Sequence, residues 1–134
     1  QRQLVERRQL RHRLWVAVRA LKVDLGSARV AGIDGSAWLS MGQTTVLAHV
    51  RGPMEARRRS DEDPDAARLV VTVTTANPTR AKERRDAEVA NCVARTLETA
   101  LSLTTYPRSV IEVSLHVVAD DGSKMACCVN AASL

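Results

Sequence analysis

Ala119-Asp-Asp-Gly-Ser-Lys-Met-Ala-Cys-Cys-Val-Asn130 is the stretch on which the fold turns. It follows an alternating apolar run and precedes a run of small and apolar residues, so it predicts strand, tight turn, helix. A helix N-terminus carries unpaired backbone N–H groups and the positive end of a dipole. A Gly/Ser turn there can therefore hold a phosphate. Whether this one does separates an enzyme from a binding part.

Upstream, Ser109–Ala119 alternates, with Ile111, Val113, Leu115 and Val117 on one face and Val110, Glu112, Ser114, His116 and Val118 on the other. Tyr106-Pro107 is expected to end a helix that begins after Asn77-Pro78-Thr79. Val89, Cys92, Val93, Thr96, Leu97, Ala100 and Leu101 keep helical spacing, which puts Cys92 in the core. The first turns of that helix carry Arg80, Lys82, Arg84 and Arg85, and cations there oppose the dipole. Either an external counter-ion is expected, or Glu83, Asp86 and Glu88 neutralise them on a solvated face.

Arg68–Thr75 forms a further strand with Leu69, Val71 and Val73 on one side. Before it, Glu55–Asp65 is a loop in which Arg57, Arg58 and Arg59 precede an acidic block; that is a phosphate contact with its own counter-charge, or a solvated run. Gly52-Pro53 is expected to stop the preceding strand. Ala37–Met41 and Thr44–Val50 flank a Gly42-Gln43 turn, and Asp34-Gly35 signals a two-residue hairpin. Leu14–Leu25 is a strand closed by a Gly26-Ser27 turn, and residues 1–13 are an Arg-rich arm. The order predicts an α+β fold with a mostly antiparallel sheet, occupying residues 14–134.

The chain of 134 residues suits one domain, and a core without Phe must be built from Val, Leu, Ile and Ala. So few aromatics argue against base-stacking platforms. Net charge is +5, with lysine only at Lys22, Lys82 and Lys124. Arginine suits bidentate phosphate contacts, so RNA is a plausible partner; a basic soluble surface from an Arg-favouring genome explains the same charge. Cys92, Cys127 and Cys128 form no disulfide framework, which suggests a reducing compartment, and no Cys/His spacing fits a metal site. His12, His49 and His116 are isolated and taken as structural or surface residues. No apolar run reaches bilayer-spanning length, so no membrane partner is expected.

Seven separated pieces resemble the RNase PH fold of phosphorolytic exoribonucleases and exosome ring subunits. They are Asp34-Gly35-Ser36-Ala37, Met41-Gly42-Gln43-Thr44, Val50-Arg51-Gly52-Pro53-Met54-Glu55, Glu83-Arg84-Arg85, Tyr106-Pro107-Arg108-Ser109, Asp121-Gly122 and Val129-Asn130-Ala131-Ala132. Each alone is common; together and in order they are specific. The likeness covers all but the arm, where the family's Asp-Gly-Arg becomes Arg11-His12-Arg13. It is strongest to the exosome subunit type whose archaeal counterpart carries the phosphorolytic site.

The resemblance implies roles. Arg85 corresponds to an arginine that holds the attacking phosphate, and Arg84 to one that contacts RNA. Arg57, Arg58 and Arg59 fall in a basic loop lining the ring's pore. A second phosphate arginine belongs to an Asp-Gly-Gly-Thr-Arg motif at the head of the last helix. Laid down without gaps, that motif becomes Asp121-Gly122-Ser123-Lys124-Met125, with Met125 at the arginine position and no donor to offer. A register starting at Asp120 would put Lys124 there, at the cost of two compensating indels, one of which flips a strand's faces. What remains is a degenerate phosphate site of Arg85, Gly122, Ser123, Lys124 and Met125. The resemblance thus implies a structural, RNA-binding ring subunit without catalysis, cofactor or metal of its own, or alternatively an active phosphate-dependent 3′–5′ exoribonuclease. It further implies ring and cap subunits as partners, roles in RNA degradation and rRNA processing, and a place in nucleus (nucleolus) and cytoplasm. Family members continue for about as much chain again, so this is expected to be an N-terminal part that exposes apolar surface.

Overall fold

The computed structural model describes residues 19–26 and 31–134. The arm, the Arg11-His12-Arg13 piece, the start of the first predicted strand and Ser27 lie outside the described residues.

Five strands form one sheet: β1 (Leu21–Leu25), β2 (Gly35–Met41), β3 (Thr44–Glu55), β4 (Arg68–Thr75) and β5 (Ser109–Ala119), in the order β1-β2-β3-β5-β4. All neighbours are antiparallel except β4 and β5. Those two are parallel because a helix, α1 (Arg80–Ala100), crosses between them. A second helix, α2 (Lys124–Ser133), follows β5. Both pack on one sheet face, α1 over β4 and α2 over β2, β3 and β5.

Period-two alternation sets the core. Ala37 and Leu39, Val46 and Ala48, and Val113, Leu115 and Val117 point under the helices, where Val89, Val93, Leu97, Cys127, Cys128 and Ala131 meet them. The β-branched residues suit the pleated surface, and the helix stripe suits the groove it covers. Leu21, Val23 and Leu25 pair with Met41, Leu39 and Ala37 on the same face but stay exposed, since the helices stop short of β1.

Four expectations change. Asp34-Gly35 is not a hairpin turn: Gly35 already belongs to β2, and the chain turns earlier, at Ala31-Gly32. Asp34 instead latches β2 to β3, accepting from the Gly52 N–H at 2.7 Å through Oδ2 and donating its own N–H to the Val50 carbonyl at 2.9 Å. Gly52-Pro53 does not stop β3, which runs on to Glu55. One extra residue bulges out between Arg51 and Met54, and Pro53 sits in that bulge, where it owes the ladder no N–H. Gly52 has φ +113° there, and a Cβ on it would lie 2.6 Å from the Val110 carbonyl oxygen, so the bulge requires glycine. Helix α1 ends at Ala100, ahead of Tyr106-Pro107, and a short 3₁₀ turn at Leu103–Thr105 fills the gap. Cys92 is only half-buried, and Thr96, Ala100 and Leu101 are exposed. The sheet covers the narrower line of Asp86, Val89, Val93 and Leu97.

Candidate phosphate and RNA contact sites

Strand β5 delivers the chain to the turn before α2, and that turn is held from beneath. Thr44, fully buried at the start of β3, accepts from the Asp121 N–H at 3.0 Å and donates to the Gly122 carbonyl at 2.7 Å. The Arg19 guanidinium donates to the same carbonyl at 2.9 Å and to that of Asp121 at 3.2 Å. Gly122 and Ser123 then take successive left-handed conformations, φ +88° and +60°. Ser123 is the N-cap of α2, yet its side chain caps nothing. The first intrahelical bond is Cys127 N–H to the Ser123 carbonyl at 3.0 Å, so the N–H groups of the first turn stay open to a ligand. Sequence reasoning missed Arg19 and Thr44; the buried strand position of Thr44 beside the Gly42-Gln43 turn was the available signal.

The open end of α2 faces a cleft of about 590 Å³ between α1 and the end of β5. Lys82, Arg85, Ser123, Lys124 and Met125 line it, along with the carboxylates of Glu88 and Asp120. The structure thus brings together Arg85, Gly122, Ser123, Lys124 and Met125. Arg84 does not line this cleft: neighbouring residues on a helix point about 100° apart, which follows from 3.6 residues per turn. Met125, 44% exposed, presents a thioether, which donates no hydrogen bond to an anion.

Asp86 does not neutralise its helix neighbours. Its Oδ1 accepts from Lys124 Nζ at 2.6 Å and from Thr75 Oγ1 at 2.8 Å, and the two charged side chains are only 12% (Lys124) and 9% (Asp86) exposed. The expected local screening of the α1 cations by Asp86 is therefore absent. Among the described residues, Arg80, Arg84 and Arg85 make no ion pair, and Lys82 Nζ donates to the Asn77 carbonyl at 3.2 Å.

Arg57, Arg58 and Arg59 lie at the opposite end of the sheet. They follow β3, whose Glu55 pairs with Ser109 at the start of β5, whereas the cleft lies at the end of β5. Eleven strand residues separate the two ends, about 33 Å at the usual rise. All three arginines are exposed. Asp61, from the acidic block, pairs with Arg68 at 2.8 Å instead of with them. The loop is tied at its base, where the Arg108 N–H donates to the Asp63 carbonyl and the Ala67 N–H to that of Leu103, each at 2.8 Å. The two basic groups are thus fixed at either end of one strand.

The cysteines of α2 are packing groups. Cys127 and Cys128 are fully buried, and burial pushes both thiols up, Cys128 to about 12. On the helix-free face, the rings of His49 and His116 meet edge to face, centroids 5.5 Å apart. His49 Nε2 is buried without a partner among the described residues. Burial, then the charge of His116 and that of Arg51, lowers the His49 pKa. The folded state thus resists the proton that the unfolded chain takes near pH 6.5, so this stability is whole above that value and is lost as pH falls through the folded pKa. Denaturant titrations of the full-length protein between pH 7.5 and 5 should show a shallower acid loss for His49→Gln; equal losses would contradict this.

The chain belongs to the 3′ exoribonuclease family, domain 1 (RNase PH), whose model matches residues 17–134. It is 35% identical over 125 residues to the exosome complex component Rrp41 of Pyrobaculum arsenaticum, covering 87% of this chain and 50% of the relative. With the exosome complex component ski6 of Schizosaccharomyces pombe it shares 37% over 109 residues, 75% of this chain and 45% of the other. Among solved structures, rice (Oryza sativa) Rrp46 superposes with a TM-score of 0.73 at 31% identity, covering 85% of this chain and 53% of that one. A chain of the Archaeoglobus fulgidus exosome with RNA bound to the active site gives 0.69 at 21% identity, over 87% of this chain and 50% of that one, a likeness of fold. The chain spans about half the length of the curated relatives it matches. Among the described residues, no helix is long and apolar enough to cross a membrane.

Proposed function

We propose that this chain is part of a ring subunit of an exosome that holds RNA by its phosphates and performs no phosphorolysis of its own. The observation that carries this is the head of α2, where Met125 faces the cleft and Lys124 is engaged by Asp86. An open helix N-terminus with Arg85 and Lys82 beside it can bind an RNA phosphate. With no second free cation at that helix head among the described residues, the charge that develops when phosphate attacks a phosphodiester goes unbalanced. Arg57, Arg58 and Arg59 would meet the RNA first, and Arg84 and Arg85 further along. Sequence-independent phosphate contacts suit the feeding of RNA 3′ ends to a nuclease on another chain, during RNA degradation or rRNA processing in nucleus and cytoplasm. Other RNase PH-like ring subunits and cap RNA-binding subunits would complete the complex.

The gathering of Lys82, Arg85 and Lys124 around one cleft favours a second reading, an active phosphate-dependent 3′–5′ exoribonuclease releasing nucleoside diphosphates. For the RNA path, Arg85→Ala in the full-length protein should weaken single-stranded RNA binding by roughly fivefold at 0.1 M salt, the share of one phosphate contact. Unchanged affinity would remove the cleft from that path.

A further inference from the structure

Lys124 opens α2 and lines the cleft, so it is placed to stand in for the arginine that the family motif carries at the head of that helix. Its ammonium is nevertheless turned inward. Nζ lies 2.6 Å from Asp86 Oδ1, and the same oxygen takes the hydroxyl of Thr75 at 2.8 Å, so the carboxylate is anchored by both the sheet and the second helix. We propose that Asp86 fills the phosphate shell from within: it is an intramolecular anion occupying the charge that a ligand phosphate would otherwise engage. This rests on reading the cleft as a phosphate shell.

The chemistry supports the assignment. A carboxylate and a phosphate oxygen make the same kind of charge-assisted bond to an ammonium, at the distance seen here. Asp86 has no loss of freedom on engaging Lys124, whereas a free phosphate must be captured from solution and desolvated. The internal anion therefore wins at ordinary phosphate concentrations. Asp86 also lies where a helix would normally bury an apolar residue, three and seven positions before Val89 and Val93. An acid on that line is costly unless paired. Its presence together with a lysine at the head of α2 fits one device that withholds the Lys124 charge from phosphate and leaves Arg85 and Lys82 as the cations facing a weakened site.

The test uses the full-length protein and inorganic phosphate, followed by calorimetry. Asp86→Asn keeps the shape and the Thr75 contact but frees the Lys124 charge, whose flexible stem can reach the cleft. Phosphate binding should tighten on the order of tenfold, the worth of one charged hydrogen bond. The double variant Asp86→Asn/Lys124→Gln should return to the wild-type value. A folded Asp86→Asn protein that binds no tighter would overturn the proposal. Should that variant not fold, reductive methylation of the wild type read by mass spectrometry decides the matter. Added phosphate should protect Lys82 and leave Lys124 unchanged; protection of Lys124 would overturn the proposal. Protection of neither lysine, with no gain in Asp86→Asn, would sink the phosphate-shell reading itself. Protection of Lys82 with no such gain sinks only the role given to Asp86.

Discussion

Replacing Arg57, Arg58 and Arg59 together with Ala is expected to weaken single-stranded RNA binding by the assembled complex on the order of 100-fold at 0.1 M salt, with a salt slope flatter by about 2. Each cation that neutralises a phosphate on a single strand releases about 0.7 of a counterion, and three of them act here. The three side chains are exposed, and none makes an ion pair among the described residues; their neighbour Asp61 is taken by Arg68. Their loop is tied to the segment before β5, so removing the charges leaves the backbone in place. Stability should stay within about 0.5 kcal/mol, as for other surface substitutions. Filter binding over a salt series is the measurement. An unchanged slope would take the loop out of the RNA path.

Lys124→Met should cost about 3–5 kcal/mol of folding stability. The substitution leaves Asp86 charged, nearly buried and held only by the Thr75 hydroxyl. Asp86→Asn should cost less, because the two partners differ in reach. A lysine deprived of its acid can extend into the cleft, but a short carboxylate on the buried side of α1 cannot reach water. Denaturant unfolding of the full-length variants checks both the size and the order. Equal costs, or a cost for Lys124→Met near zero, would mean that water already screens the pair.

The strand faces were legible because burial on a sheet follows a period of two along most of β2, β3 and β5; Val110, buried on the face opposite Val113, Leu115 and Val117, is the exception. The head of α2 was legible for a similar reason: a Gly-Ser turn after a strand has few other uses. Bulges and latches were not legible. Pro53 marks a strand end in most sheets, and only the facing register of β5 shows that β3 absorbs it in a bulge. Asp34-Gly35 carries the local signature of a tight hairpin, but its carboxylate is spent on Gly52, a contact across the sheet that no local pattern encodes. Asp86 was not legible locally. Surrounded in sequence by Arg84, Arg85 and Glu88, it left open a solvated charge network or an external counter-ion for those cations. Its spacing to Val89 and Val93 already placed it on the buried line, and its partner lies 38 residues away. The separation of Arg84 from Arg85 follows from helix geometry alone, whereas the gathering of Lys82 and Lys124 beside Arg85 needed the tertiary structure.

Release of nucleoside diphosphate from a 3′-labelled single-stranded RNA, with and without inorganic phosphate, tests the central claim most directly. The full-length protein should be measured alone and together with its ring neighbours. No phosphate-dependent diphosphate from this subunit is the expected result, with RNA still bound. Robust phosphate-dependent release that Arg85→Ala abolishes would contradict the account and make this chain part of an enzyme.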